Sequence, residues 1–198
     1  MALKTFVKIN SVNNLSDARY CAGMHVDLLG FDLDMASKSY IDLENFEAIT
    51  GWTSGAQFVG EFGASKQESV SDALTEYEID YVESNDISVL TSLKTSKGKI
   101  LNISIDAVDD TNWAGIDYII IMSTKDFTSE QIAKIKELSI KNKILLGSGV
   151  TADNIESILV ATGAHGIALT AGDEIRPGYK DYDELADILE ALEVEDWV

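Results

Sequence analysis

Phe6-Val7-Lys8-Ile9-Asn10-Ser11-Val12-Asn13-Asn14-Leu15-Ser16-Asp17-Ala18 decides the fold class, because its apolar period changes partway along. Phe6 to Ile9 is a short run of strand type, and Asn14 to Gly23 follows with helical character. Asn14 is placed to cap that helix. Asp17 puts a carboxylate in its first turn, where unsatisfied N–H groups and the helix dipole favour negative charge.

The same alternation continues to the end of the chain. Val26 to Phe31, Gln57 to Phe62, Asp80 to Glu83, Lys99 to Ile105, Tyr118 to Met122, Lys143 to Leu146 and Gly166 to Leu169 read as further strands. Between them, apolar residues recur at helical spacing: Leu43, Phe46 and Ile49 after Asp42; Val70, Leu74 and Tyr77; Ile87, Leu90 and Leu93; Ile132, Ile135 and Leu138. Ala152 to Thr162 is predicted helical with Gly163 as its stop signal, and Leu185, Ile188, Leu189 and Leu192 mark a last helix. Asp109 to Gly115 is too short and polar for a long helix. A series of right-handed strand–helix units forms either a doubly wound sheet or a closed barrel. Eight units is the number of the (β/α)8 TIM barrel, and 198 residues sit at its lower size limit of about 200. A flavodoxin-like sheet would require three of these strands to fail. The expected architecture is one compact α/β barrel domain over residues 1–198.

Composition narrows the function classes. Thirty-four acidic residues against 15 Lys and Arg leave a net charge of −19, which weighs against unaided binding to nucleic acid or to an anionic membrane. One Cys cannot form an internal disulfide. No apolar run reaches the roughly 20 residues of a membrane helix, and the N-terminus lacks the pattern of a signal peptide. The chain therefore reads as soluble and cytoplasmic, a monomer or homodimer, with no cofactor and no metal expected.

In a barrel, chemistry sits at the C-terminal ends of the strands. Two segments there are rich in small residues: Leu146-Gly147-Ser148-Gly149-Val150-Thr151-Ala152-Asp153-Asn154 and Leu169-Thr170-Ala171-Gly172. Small residues let backbone N–H groups approach an anion, and the seventh and eighth strand ends are the usual phosphate site of this fold. Gly147, Ser148, Gly149, Thr170, Ala171 and Gly172 are the candidate phosphate-binding residues. Their alternative reading is as plain turn residues.

The opening Val7-Lys8-Ile9-Asn10-Ser11-Val12-Asn13-Asn14-Leu15-Ser16-Asp17-Ala18 resembles the Val-Lys-Ile-Cys-Gly-Ile-Thr-Asn-Leu-x-Asp-Ala opening of the phosphoribosylanthranilate isomerase family, small single-domain barrels of tryptophan biosynthesis. The resemblance continues at Asp27-Leu28-Leu29-Gly30-Phe31, Ser37-Lys38-Ser39-Tyr40-Ile41 and Phe58-Val59-Gly60-Glu61-Phe62. It recurs at Leu146 to Ile155, similar to Leu-x-Gly-Gly-Leu-x-x-x-Asn-Val, and at Gly172-Asp173-Glu174-Ile175-Arg176-Pro177-Gly178-Tyr179-Lys180-Asp181, similar to Gly-Val-Glu-x-x-Pro-Gly-x-Lys-Asp. It spans nearly the whole chain in order and implies a phosphorylated small-molecule partner.

The family's catalytic pair does not carry over. The resemblance implies a first-strand Cys as general base and a sixth-strand Asp as general acid of an Amadori rearrangement. Those positions are Asn10 and Met122. An amide is not basic enough to take a carbon-bound proton near neutral pH, and a thioether has no proton to give. The family's substrate-contacting Arg is Ser39, its Gln-Leu-His-Gly motif is Glu83-Ser84-Asn85-Asp86, and its eighth-strand Asp is Ala168. The lone Cys21 lies in the first helix and does not replace the base.

Glu61, Glu83 and Asp106 are the candidates for a relocated acid–base pair. For Glu61 and Glu83 the plainer reading, in so acidic a chain, is solvated loop carboxylates. Lys8 is read equally as an anion-holding group or as the partner of an inner carboxylate. Asp32 and Asp34 could hold a hard cation, but their spacing is unspecific and solvation is preferred. His25 and His165 lack partners at ligand spacing, so structural or surface roles are expected.

Overall fold

The computed structural model describes residues 2–108, 113–170, 174–176, 179–180 and 183–194. Eight parallel strands close into a barrel in sequence order: β1 (Phe6–Asn10), β2 (Leu28–Asp32), β3 (Gln57–Glu61), β4 (Tyr81–Ser84), β5 (Gly98–Ser104), β6 (Tyr118–Met122), β7 (Ile144–Leu146) and β8 (Gly166–Thr170). Closure is made by β8 on β1, in register from Phe6 opposite Gly166 to Asn10 opposite Thr170. The expected (β/α)8 barrel is the observed fold. Helices α1 (Leu15–Gly23), α2 (Leu43–Thr50), α3 (Gln67–Glu76), α4 (Ile87–Ser92), α5 (Ser129–Ser139), α6 (Ile155–Thr162) and α7 (Asp183–Ala191) complete the units. None is long and apolar enough to cross a membrane.

Local sequence explains the helix ends. Asn14 caps α1 by accepting from Asp17 N at 2.9 Å, and Asp42 caps α2 by accepting from Asn45 N at 2.9 Å. Thr128 and Gln131 form a capping box on α5. Gly163 closes α6 in the left-handed conformation, as expected of a stop signal. Two elements differ from the sequence reading. Helix α6 begins at Ile155 and not Ala152, because the Asn154 side chain accepts from Thr151 N and donates to Gly149 O, holding that stretch as a turn. A short antiparallel pair, β9 (Glu174–Arg176) with β10 (Tyr179–Lys180), was not anticipated. Between β5 and β6 the described structure is a single 3-10 turn, Ile105–Ala107.

Strand alternation makes two cores. Outward residues such as Val7, Ile9, Leu29, Phe31, Ile119, Ile121 and Ile167 pack with helix residues Ala18, Phe46, Val70, Ile135, Ile155 and Leu189. Inward residues Leu28, Val59, Ile100, Tyr118, Ile120, Leu145 and Ala168 fill the barrel, with Phe6, Tyr81 and Met122 against them. The same parity points Lys8 and Asn10 on β1, Glu61 on β3 and Glu83 on β4 into the interior, toward the mouth.

Candidate functional site

Lys8 is fully buried inside the barrel. Its Nζ lies 2.5 Å from Glu61 Oε1 and 2.8 Å from Glu83 Oε2, and donates to Asn10 Oδ1. Glu61 and Glu83 are 9% and 5% exposed, so their reading as solvated loop carboxylates is wrong. Register explains it: Glu61 stands opposite both Asp32 and Glu83, one step toward the mouth from inward Val59. Lys8 is therefore a partner of inner carboxylates.

The triad is bonded on its outer sides. Glu61 Oε2 accepts from Ser11 N at 3.0 Å and from Ser11 Oγ at 3.2 Å. Ser11 has φ of 54°, left-handed for a residue that is not glycine. Glu83 Oε1 accepts from Asn102 Nδ2 at 2.8 Å. Glu83 Oε2 is ion-paired with Lys8 Nζ at 2.8 Å. Gly30 makes the space: a Cβ there would stand 1.9 Å from Glu61 Oε1 and 2.8 Å from Lys8 Nζ.

Charge follows from this burial. Burial alone pushes the Lys8 ammonium down, but Glu61 and Glu83 outweigh it and the group is held above its ordinary value. Burial pushes the Glu61 carboxyl up; Lys8 draws it back, Glu83 adds to the rise, and the net direction is up. Both directions favour the protonated form of the group concerned.

Above the triad is a cavity of about 240 Å³, lined by Asp32, Asp34, Ser37, Glu61, Gly63, Glu83, Asn85 and Asn102. Asp32 accepts from Ser37 Oγ at 2.5 Å and from Asp34 N at 3.1 Å, and Asp34 accepts from Ala36 N at 3.0 Å, so both carboxylates organise their own loop. Among the described residues no group of three or more His, Cys, Asp or Glu is arranged to hold a metal ion.

The remaining candidates separate. Asp106 is exposed on the 3-10 turn, accepts from Gln131 Nε2 at 3.3 Å and does not line the cavity. Ser39 is exposed in the loop after β2 and is also off the cavity. Ala168 is buried in the barrel interior. Met122 points inward at the end of β6, and its Sδ would be 2.2 Å from a Cβ on residue 147, which explains Gly147. Gly149 has φ of 69°, and Ser148 Oγ accepts from Ser123 N at 2.7 Å, joining the loops after β6 and β7. Thr170 ends β8 beside Asn10 and is exposed. Ala171 and Gly172 lie outside the described residues. His25 and His165 line a separate cleft with Asp27, and the His165 ring packs against Phe6 and Tyr118. Ser11 and Gly30 were missed as site residues; the inward parity of β2 and the Ser in place of the family's Gly were the available signals.

The chain is thus a parallel barrel whose mouth combines a buried Glu–Lys–Glu cluster with a small-residue loop after β7. No protein-family model matches it. It is 24% identical to the N-(5'-phosphoribosyl)anthranilate isomerase of Maridesulfovibrio salexigens, over 96% of this chain and 99% of that protein. The crystal structure of phosphoribosyl anthranilate isomerase from Thermus thermophilus is similar with a TM-score of 0.77 and 20% identity, over 94% of this chain and 98% of that one. A phosphoribosyl anthranilate isomerase in complex with reduced 1-(o-carboxyphenylamino)-1-deoxyribulose 5-phosphate has a TM-score of 0.74 and 19% identity, over 95% and 98%. These full-length likenesses agree with the resemblance read from the motifs, and they show the fold: the chain is a (β/α)8 barrel similar to phosphoribosylanthranilate isomerases.

Proposed function

We propose that this barrel binds a phosphorylated small molecule at the β7–β8 end of its mouth and does not carry out the family's Amadori rearrangement at an ordinary rate. The carrying observation is the pair of inward residues Asn10 and Met122. The Asn10 amide oxygen accepts from Lys8, and Met122 packs over Gly147. Neither group can take or give a proton at carbon or at a ring oxygen near neutral pH. The loop over Gly147, Ser148 and Gly149 supports the phosphate half, because its turn is fixed from the backbone by Asn154 and backbone N–H donors need no particular side chain. Thr170, Ala171 and Gly172 complete that half in this reading. The protein works in the cytoplasm as a monomer or homodimer, without nucleic acid, membrane, metal or organic cofactor.

A second reading keeps the barrel catalytic, as an isomerase or lyase on another phosphorylated sugar derivative. Glu61 favours it: a buried carboxyl at the mouth that holds its proton above the ordinary range is suited to acid–base work. Titration calorimetry with inorganic phosphate and with a pentose 5-phosphate tests the binding claim, and no heat at millimolar ligand overturns it. A tryptophan auxotroph lacking the isomerase separates the two readings from drift: Asn10→Cys with Met122→Asp is expected to complement, and the parent is not.

A further inference from the structure

Every strand of the barrel points to the mouth, so each helix runs back and ends at the opposite face. That far face collects the apolar exposure of the molecule. Among the described residues five large apolar side chains are exposed, and four of them lie there. Trp52 follows α2, Ile140 follows α5, Val160 is in the last turn of α6 and Val194 follows α7. Trp52, Ile140 and Val160 are 76%, 80% and 82% exposed. The fifth, Met35, is in the loop after β2, at the mouth.

These four positions surround a cleft of about 780 Å³ whose lining includes Ala2, Leu3, Phe6, Asp27 and Gly163. Val194 N donates to Ala2 O at 3.0 Å. The Trp52 loop leads into Gln57, whose N donates to Asp27 O at 2.9 Å. Gly163 closes α6 just after Val160, and a Cβ there would stand 3.9 Å from the Cβ of Ser139, the neighbour of Ile140. The apolar positions therefore form one region around a concave centre, which is the pattern of an interaction surface.

Charge selects what can cover it. Helices α2, α3 and α7 carry nine carboxylates and no Lys or Arg, so the flank they form repels a second copy. The far face differs. Its described connecting segments hold five lysines (Lys4, Lys94, Lys97, Lys141, Lys143) and five carboxylates (Asp27, Glu78, Asp80, Asp117, Glu193), in a chain whose net charge is −19. A surface with both signs in balance can pair with itself about a two-fold axis, whereas a purely acidic or purely basic partner meets like charges there.

We propose that this far face is a self-association surface, across which two copies of the chain pair with Trp52 and Val160 as apolar anchors beside the cleft. The pairing decides between monomer and homodimer and is independent of what the mouth binds.

Sedimentation velocity on the full chain tests it. The mass is expected to rise from one copy to two as concentration increases from about 1 to about 200 µM. Trp52→Glu and Val160→Glu are each expected to weaken association at least about tenfold, since a substitution in a two-fold interface is met twice and exposed aromatic anchors dominate such contacts. Both side chains are exposed, so urea midpoints are expected to stay at the parent value, which separates lost association from lost folding. Met35→Glu adds the same charge at the mouth and is expected to leave association unchanged. A single-copy mass at the highest concentration overturns the proposal. So does a dimer that neither far-face substitution weakens, or one that Met35→Glu weakens equally.

Discussion

Lys8→Met removes the single cation between two buried glutamates. The side chain it replaces is wholly buried, with carboxylate oxygens at 2.5 and 2.8 Å. Met fills a similar volume, so the loss is electrostatic and not a cavity. Removing one partner of a buried ion pair costs about 3–5 kcal/mol, because the remaining charge is left uncompensated. In a protein of this length each kcal/mol moves the melting midpoint by roughly 2–4 °C, so the expected fall is about 6–20 °C. Part of the loss is relieved as Glu61 takes up a proton, so the deficit is expected to shrink on acidification. Glu61→Gln is the companion: it keeps an oxygen acceptor and removes the excess negative charge, and about 1 kcal/mol or less is expected. Urea denaturation of parent and variants at matched pH measures both. A loss below about 1 kcal/mol for Lys8→Met would refute the reasoning, since exposed pairs are worth no more than that.

Three further outcomes follow from the same geometry. The Glu61 carboxyl is held above its ordinary value of 4.5, so the folded chain binds the proton more tightly than the unfolded chain. That contribution is complete below the unfolded value and is lost as pH rises through the folded one; relative to Glu61→Gln, the parent should gain stability as pH is lowered toward that unfolded value, by urea midpoints. Gly30→Ala places a methyl in the space of the Lys8–Glu61 contact, and overpacking there is expected to cost about 1–3 kcal/mol; a cost under about 0.5 kcal/mol would show that the pair is free to move. Asn154→Ala frees the turn after β7, with about 1 kcal/mol of stability lost and weaker phosphate binding by calorimetry; unchanged phosphate affinity would contradict the role given to that loop.

The strands and most helix ends were legible because their signals are local. Asn14 and Asp42 cap the helices that their types predict, and Gly163 ends α6 as expected. The turn after β7 was legible in the same way, from small residues at a strand end. The state of Glu61 and Glu83 was not, because it depends on where three strands meet. Parity alone aims Glu61 inward with Val59, but its burial needs Lys8 from β1, Ser11 from the following turn and the vacant side of Gly30 on β2. Composition argued the other way, since most carboxylates in an acidic chain are solvated. Asp106 failed for the opposite reason: it follows the end of β5, where the chain turns into a 3-10 helix and carries it to the surface.

Asn10 and Met122 carry the proposal that this barrel lacks the acid and base of the isomerases it resembles. The decisive measurement is the loss of phosphoribosylanthranilate fluorescence with the purified parent protein. The account predicts no turnover above the uncatalysed rate. Ordinary turnover by the parent would contradict it, because the reaction would then be proceeding without a base at residue 10 or an acid at residue 122.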